Sequence, residues 1–301
     1  MKKFNIFKIM FLVALSLSLV LIFANIHTPE KEVFNLNFTN SKDKLKIVSE
    51  NTLSLKNITD INLQLDVDDV SFLENENSNE IKIIEKCTRD LSKEEQLKIN
   101  VENNKINIHR NSNLNINSLG KSFSRQVLIY LPSTYKNDLN LKLSLGNIDF
   151  DYNVNLNKLN LNLTTGSVNI KDLKCNSFIL EGRTGDFSID TLICEEYGIS
   201  LNTGSINVSD ISGKGYINNT VGNIKSGISN MTGDTEISSS TGDIEVNILK
   251  EFDFIINSSC DIGEIKTDFK ENSIGKNPKY TLTIDCGIGN IKKIKFLNTY
   301  T

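Results

Sequence analysis

A glycine returns about every twenty residues through the second half of this 301-residue chain, each time in nearly the same setting. The series is Gly146, Gly166, Gly185, Gly204, Gly222, Gly242, Gly263 and Gly289, at intervals of 20, 19, 19, 18, 20, 21 and 26 residues. Two positions after each glycine stands a large apolar residue: Ile148, Val168, Phe187, Ile206, Ile224, Ile244, Ile265 and Ile291. Directly after each glycine comes a small polar or acidic one: Asn147, Ser167, Asp186, Ser205, Asn223, Asp243, Glu264 and Asn290. A fixed period of this length is the mark of a solenoid, in which each repeat buries its apolar side only by stacking on its neighbours.

The flanking residues alternate. Five before the glycines are Leu141, Leu161, Leu180, Ile199, Ile217, Ile237, Ser258 and Ile284. One before are Leu145, Thr165, Thr184, Thr203, Val221, Thr241, Ile262 and Ile288. Period-2 alternation predicts strands, with both positions pointing inward before the glycine and even offsets inward after it. Such a change of parity requires a corner or a bulge, and glycine suits it because it reaches positive φ without steric cost. The polar residues after it fit the outside of a bend, bonding local backbone. An antiparallel meander with even turns would give similar spacing but not this recurrence of residue type. Eight rungs about 4.8 Å apart span on the order of 38 Å. Residues 268–279 read as an inserted loop, and Lys293 at an inward position marks the last rung as an exposed cap. Gly227 falls out of phase with the series.

The N-terminus carries Lys2, Lys3 and Lys8 ahead of an uncharged, mostly apolar run from Ile9 to Ile26. Basic residues stay on the cytoplasmic side, so the remainder of the chain is expected across a membrane. Its 18 residues are at the lower limit for spanning, and only Ala24 offers a small residue for cleavage. An uncleaved anchor is therefore favoured over a signal peptide. No cysteine follows the run to carry a lipid. The expected organisation is a membrane segment over 1–29, a stalk over 30–56 and a β-solenoid over 57–301. Within the solenoid, 57–145 is an irregular opening portion and 146–292 the regular glycine-cornered rungs. Asp68 in "VDDVSF" (67–72) stands where a first corner glycine would be.

Little in the chain points to catalysis. Its two histidines, His27 and His109, have no His or Cys partner at metal-ligand spacing. Asp66, Asp68 and Asp69 are the best carboxylate cluster for a glycosidase, but acidic residues at turn edges are usually solvated. Calcium-binding β-rolls repeat every nine residues, so the Asp/Asn corner series reads as structural. "LPSTY" (131–135) resembles a cell-wall sorting motif but lies mid-chain and reads as a strand end. With 33 basic and 37 acidic residues interspersed there is no basic patch for nucleic acid. No cofactor and no metal are expected.

Five cysteines remain. Cys175 and Cys194 each fall nine residues after a glycine, and Cys260 and Cys286 each fall three before one. Equal offsets predict two stacked pairs, with Cys87 alone. Parallel in-register neighbours hold their Cβ atoms wider apart than a disulfide prefers, so free thiols packed as small apolar residues are expected.

The stretch "VLIYLPSTYKNDLNLKLSLGNIDF" (127–150), followed by repeats of Thr-Gly-Asp/Ser-Ile-x-Ile type, resembles the bacterial putative adhesin family with β-strand repeats, Domain of Unknown Function 4097. The resemblance covers roughly 57–292. It implies a β-solenoid outside bacteria, often behind one transmembrane helix, with some relatives connected to envelope stress, and it brings no catalytic residues. The expected function is non-enzymatic: an extracytoplasmic envelope protein whose repetitive surface serves adhesion or scaffolding. Its expected partners are the membrane, an envelope protein or glycan, and further copies of itself through the solenoid ends. The alternatives are an envelope-stress sensor with a membrane partner and a polysaccharide-acting enzyme on a β-helix.

Overall fold

The computed structural model describes residues 45–76, 79–110, 124–269 and 271–296. The apolar run Ile9–Ile26 and the loop at 111–121 lie outside them. The chain divides into Met1–Ser41 and a second compact unit, Lys42–Thr301. Among the described residues no helix is long and apolar enough to cross a membrane.

The described residues of the second unit form strands joined by turns and loops. Its strands are β1 (Lys46–Ser54), β2 (Asp60–Val67), β3 (Asp69–Glu74), β4 (Glu80–Cys87), β5 (Lys98–Glu102), β6 (Lys105–His109), β7 (Arg125–Leu131) and β8 (Asp138–Leu145). Long strands come next: β9 (Ile148–Thr165), β10 (Val168–Thr184), β11 (Phe187–Thr203), β12 (Ile206–Val221) and β13 (Ile224–Thr241). The chain closes with β14 (Ile244–Ile248), β15 (Phe254–Ile262), β16 (Ile265–Thr267), β17 (Ser273–Ile274), β18 (Thr281–Ile288) and β19 (Ile291–Phe296).

Each rung is a strand, a glycine corner and a second strand, and successive rungs pair in parallel. Val168 lies opposite both Ile148 and Phe187, and Ile206 opposite both Phe187 and Ile224. The residues two after the glycines therefore form one continuous apolar file, buried from Ile148 through Ile244 to Ile291. The file five before the glycines is buried likewise, from Leu141 through Ile237 to Ile284. Like stacks on like, so each side chain meets a neighbour of its own shape. One contact is fully aromatic: Phe72 and Phe150 stack with ring centroids 4.2 Å apart.

The corners fix the stack. All eight glycines have φ between 132° and 150°. A Cβ built on any of them would lie 1.5–2.1 Å from the carbonyl oxygen of the corner residue in the adjacent rung. Conformation and close approach thus both demand glycine. Asp68 occupies the first corner, with its carbonyl under Gly146, and its N–H donates to Leu145 O at 3.1 Å. Asp68 begins the ladder and does not share the positive φ of the glycines above it, so a side chain fits there.

Several features differ from the sequence-based expectations. Residues one before the glycines do not point inward: Ile262 is 64% exposed, and Leu145, Val221, Ile288 and the threonines between are exposed too. The parity break begins one residue before the glycine, so the inward positions are five and three before. Each long strand also bends a second time, as in β9, where buried Leu156 is followed by buried Leu159. Residues 46–54, assigned to a stalk, form β1 and pair antiparallel with β4. Gly227 is no looser than a corner, since an added Cβ would meet Ser209 O at 2.1 Å.

The order of the last rungs differs as well. Gly242 N–H donates to Ile288 O, and Gly289 N–H to Ile262 O. β18 and β19 therefore lie between the Gly242 rung and the Gly263 rung, and β15–β16 form the outer end. The cap is the Gly263 rung, not the one bearing Lys293. The reason is burial. Leu282, Ile284 and Ile291 need apolar neighbours on both sides, whereas the outer rung offers exposed Ser258, Asp261 and Glu264. The loop at 268–279 folds back on that end: β17 pairs antiparallel with β15, and Phe269 meets Phe254 edge-on at 5.7 Å.

Before the first rung the chain is less regular. β2 lies between β6 and β8, and β3 between β7 and β9, all in parallel. β4 runs antiparallel to β7, and β5 antiparallel to β6.

Two substitutions test this packing. Gly204→Val should lower unfolding stability by more than ~3 kcal/mol, and Ile206→Asp by about 4 kcal/mol, from strain and an unpaired buried charge respectively. Ser205→Ala, on the outside of the same corner, should change it by less than ~0.5 kcal/mol. Urea unfolding of the three variants checks this, and equal shifts at 205 and 206 would contradict the register.

Candidate functional site

The polar residues after the corner glycines bond the neighbouring rung, not the local backbone. Asp69 Oδ1 accepts from Asn147 N–H at 3.0 Å, and Asn147 Oδ1 accepts from Ser167 N–H at 3.0 Å. Asp186 accepts from Ser205 N–H, Asn223 from Asp243 N–H, Asp243 from Asn290 N–H and Asn290 from Glu264 N–H. Every acceptor is Asp or Asn, whose short side chains reach one rung spacing. These acidic corners are therefore engaged in holding the stack. Among the described residues no group of three or more His, Cys, Asp or Glu is placed to hold a metal ion.

A second file, three before the glycines, turns polar toward one end. Asn219 Nδ2 donates to Gly204 O at 2.7 Å, and Ser239 Oγ to Gly222 O at 3.3 Å. Cys286 Sγ donates to Gly242 O at 3.4 Å, and Cys260 Sγ to Gly289 O at 3.2 Å. The two cysteines thus act as weak donors to corner carbonyls, in series with Asn219 and Ser239. The structure sets Cys260 opposite Cys286 and Cys175 opposite Cys194, the latter pair with sulfurs 3.2 Å apart. All five cysteines are free, and Cys87 lies on β4 opposite Arg125. The hydrogen bond to Cys194, then burial, pushes the Cys175 thiol up. The same hydrogen bond pulls the Cys194 thiol down. Burial, then the charge of Cys260, pushes Cys286 up to about 11.

Asp66, Asp68 and Asp69 do not share a site. Asp69 serves the corner ladder, while Asp68 is buried rather than solvated at a turn edge. Its carboxylate takes Arg110 Nη2 at 2.7 Å and Arg110 Nε at 3.2 Å. The same guanidinium reaches Glu85 Oε1 at 2.7 Å and the carbonyl of Glu95. Glu85 Oε2 also accepts from Ser49 Oγ and from Leu97 N–H, both at 3.1 Å. Arg125 joins from β7, with Nε 3.1 Å from Val67 O and 3.7 Å from Asp68 Oδ1. Burial raises the Asp68 carboxyl above its usual range while the Arg110 charge opposes this. The cluster ties β1, β4, β6 and β7 to the first corner, and neither carboxylate reaches solvent. It is a clamp, with no access for a substrate. The sequence hint was the non-glycine corner; its partners, 17 to 57 residues away, left no local signal.

His109 lies on β6 opposite Gln64 and Lys98, and His27 lies outside the described residues. "LPSTY" is the turn after β7, where Leu131, Pro132 and Tyr135 are buried and Tyr135 Oη donates to Asp138 O at 2.7 Å.

Because Arg110 neutralises two buried carboxylates, Arg110→Ala should cost about 3–5 kcal/mol. Chemical denaturation measures this directly. A loss below ~1 kcal/mol would show that the cluster is hydrated.

Solved structures that match this chain share little sequence with it. A putative adhesin from Bacteroides fragilis is 13% identical, with 83% of this chain and 97% of that chain covered at a TM-score of 0.47. A putative cell adhesion protein from Clostridium sporogenes is 16% identical, with 83% and 100% covered at 0.30. A putative lipid binding protein from Parabacteroides distasonis is 14% identical, with 81% and 96% covered at 0.45. No curated protein matches the chain significantly. The profile of the family described as Toastrack DUF4097 matches residues 58–292, the span that holds the glycine ladder and the strands leading into it, and the chain belongs to that family.

Proposed function

We propose that this chain is a non-enzymatic, extracytoplasmic cell-envelope protein: a β-solenoid tethered to the membrane by its N-terminal apolar segment and presenting a repetitive surface for adhesion or scaffolding. The observation that carries this reading is the regular outer face. Chemistry repeats there from rung to rung in side-chain ladders, such as Asn107 to Asn62 to Asn140 with 3.0 Å hydrogen bonds, Asn162 to Glu181 at 3.1 Å and Asp149 to Asn169 at 2.8 Å. A stack of similar rungs offers an extended partner many equivalent contacts, which suits binding better than chemistry at a single point. Lys2, Lys3 and Lys8 before the apolar run support export of the remainder of the chain.

Protease added to intact protoplasts tests the placement. The proposal predicts digestion of the chain before lysis. Full protection until lysis would contradict it.

A further inference from the structure

The outer face of the strands that precede the corners carries two adjacent files. One runs Asn107, Asn62, Asn140, Asn160, Ile179, Gly198, Tyr216 across β6, β2, β8, β9, β10, β11 and β12. The other, two residues along each strand, runs His109, Gln64, Lys142, Asn162, Glu181, Ser200, Asn218. Six strand-to-strand steps make this track on the order of 29 Å long.

The first file turns from asparagines to Ile179, Gly198 and Tyr216. Tyr216 is 42% exposed, and a Cβ built on Gly198 would lie 2.8 Å from both its Cζ and its Oη. The ring therefore lies across the glycine of the adjacent strand. Any larger residue at 198 would lift it. Ser200, two residues along β11 from Gly198, lines a shallow groove of about 580 Å³ together with Lys142, Asn162, Thr164, Glu181 and Arg183. A second groove, of about 390 Å³, continues toward His109 and shares Lys142 and Asn162 with the first. Glu181 is held in place by Asn162 Nδ2 at 3.1 Å.

An exposed aromatic platform beside a run of amide, hydroxyl and carboxylate groups matches one chemistry: a sugar ring, with an apolar C–H face to stack and a rim of hydroxyls to bond. The length of the track selects a chain of sugars over a single one. Lys142 and Arg183 stand beside Glu181, so charge on the groove is mixed and does not favour a polyanion. An extended peptide would seek a free strand edge, but here both edges of the central strands are paired.

We infer that this track binds a neutral, hydroxyl-rich polysaccharide. Tyr216 is the stacking platform, and Glu181, Ser200, Asn162 and Lys142 are the hydroxyl partners. The inference deepens the adhesive-surface reading and rests on it.

The test is co-sedimentation of the full-length protein, in detergent, with insoluble cellulose, chitin and β-1,3-glucan, and capture on heparin beads as the anionic control. Binding to at least one of the three insoluble glycans is expected. Tyr216→Ala and Glu181→Ala should each weaken it about tenfold or more, and Tyr216→Phe should preserve it. Tyr216 also covers a strand glycine, so Tyr216→Ala can lower stability by itself. Glu181→Ala, exposed and outside the core, should melt with the parent and keeps the test decisive. No binding to any of the three glycans, binding to heparin alone, or unchanged binding by Glu181→Ala and Tyr216→Ala would each overturn the inference. Protease digestion of the chain on intact protoplasts together with absent glycan binding would overturn this inference alone, whereas protection there would remove the surface reading beneath it.

Discussion

The approach of one corner to the next governs this structure. At each rung a glycine Cα faces the carbonyl oxygen of the corner beside it, at a distance that leaves no room for a Cβ. That contact sets the height of the stack and brings the two amides flanking each corner into reach of the next rung, as with Gly166 N–H to Thr184 O and Val168 N–H to Asp186 O. It also aligns the apolar files. Once corners superpose, Ile148, Val168, Phe187 and Ile206 stack without choice of register, and a one-residue slip would move every one of them to the outer face. Parallel strands usually need burial on both sides of the sheet, and here the closed inside of the rungs supplies one side while polar ladders serve the other.

The two ends solve the same problem differently. A stack of strands must stop without exposing its core or its edges. At the first corner the ladder begins with Asp68, and the side chain that a glycine would lack becomes the anchor of an ion cluster joining strands of the irregular opening portion. At the other end the chain doubles back, placing its more apolar strands inside and leaving a polar rung outermost, with Phe252, Phe254 and Phe269 gathered beneath the returning loop. Neither end relies on the corner ladder alone.

How much of this could be read from the sequence depends on how local each cause is. The corners were legible because only glycine tolerates the backbone there, and the residues two after them because all are buried except Ile265, on the outermost rung. Asp68 was legible as a first corner from its neighbours Val70 and Phe72, which keep the apolar spacing. The orientation of Leu145, Val221 and Ile288 was not, because alternation was continued one residue too far into the bend. The second bend near Asn157 leaves no glycine to mark it. The exchange of the last two rungs depends on comparing how well two distant strands fill the same place, and the partners of Asp68 lie on other strands. Tyr216 over Gly198 was hidden for the same reason: nothing in either stretch names the other.

Corner glycines stack directly on one another, in the spatial order 222, 242, 289, 263. Nuclear Overhauser contacts between backbone protons of the corner residues test this stacking most directly, in protein labelled at glycine. Cross-peaks should link Gly242 to Gly289 and Gly289 to Gly263, and none should link Gly242 to Gly263. Direct contact between Gly242 and Gly263, or no contacts among the corners, would contradict it.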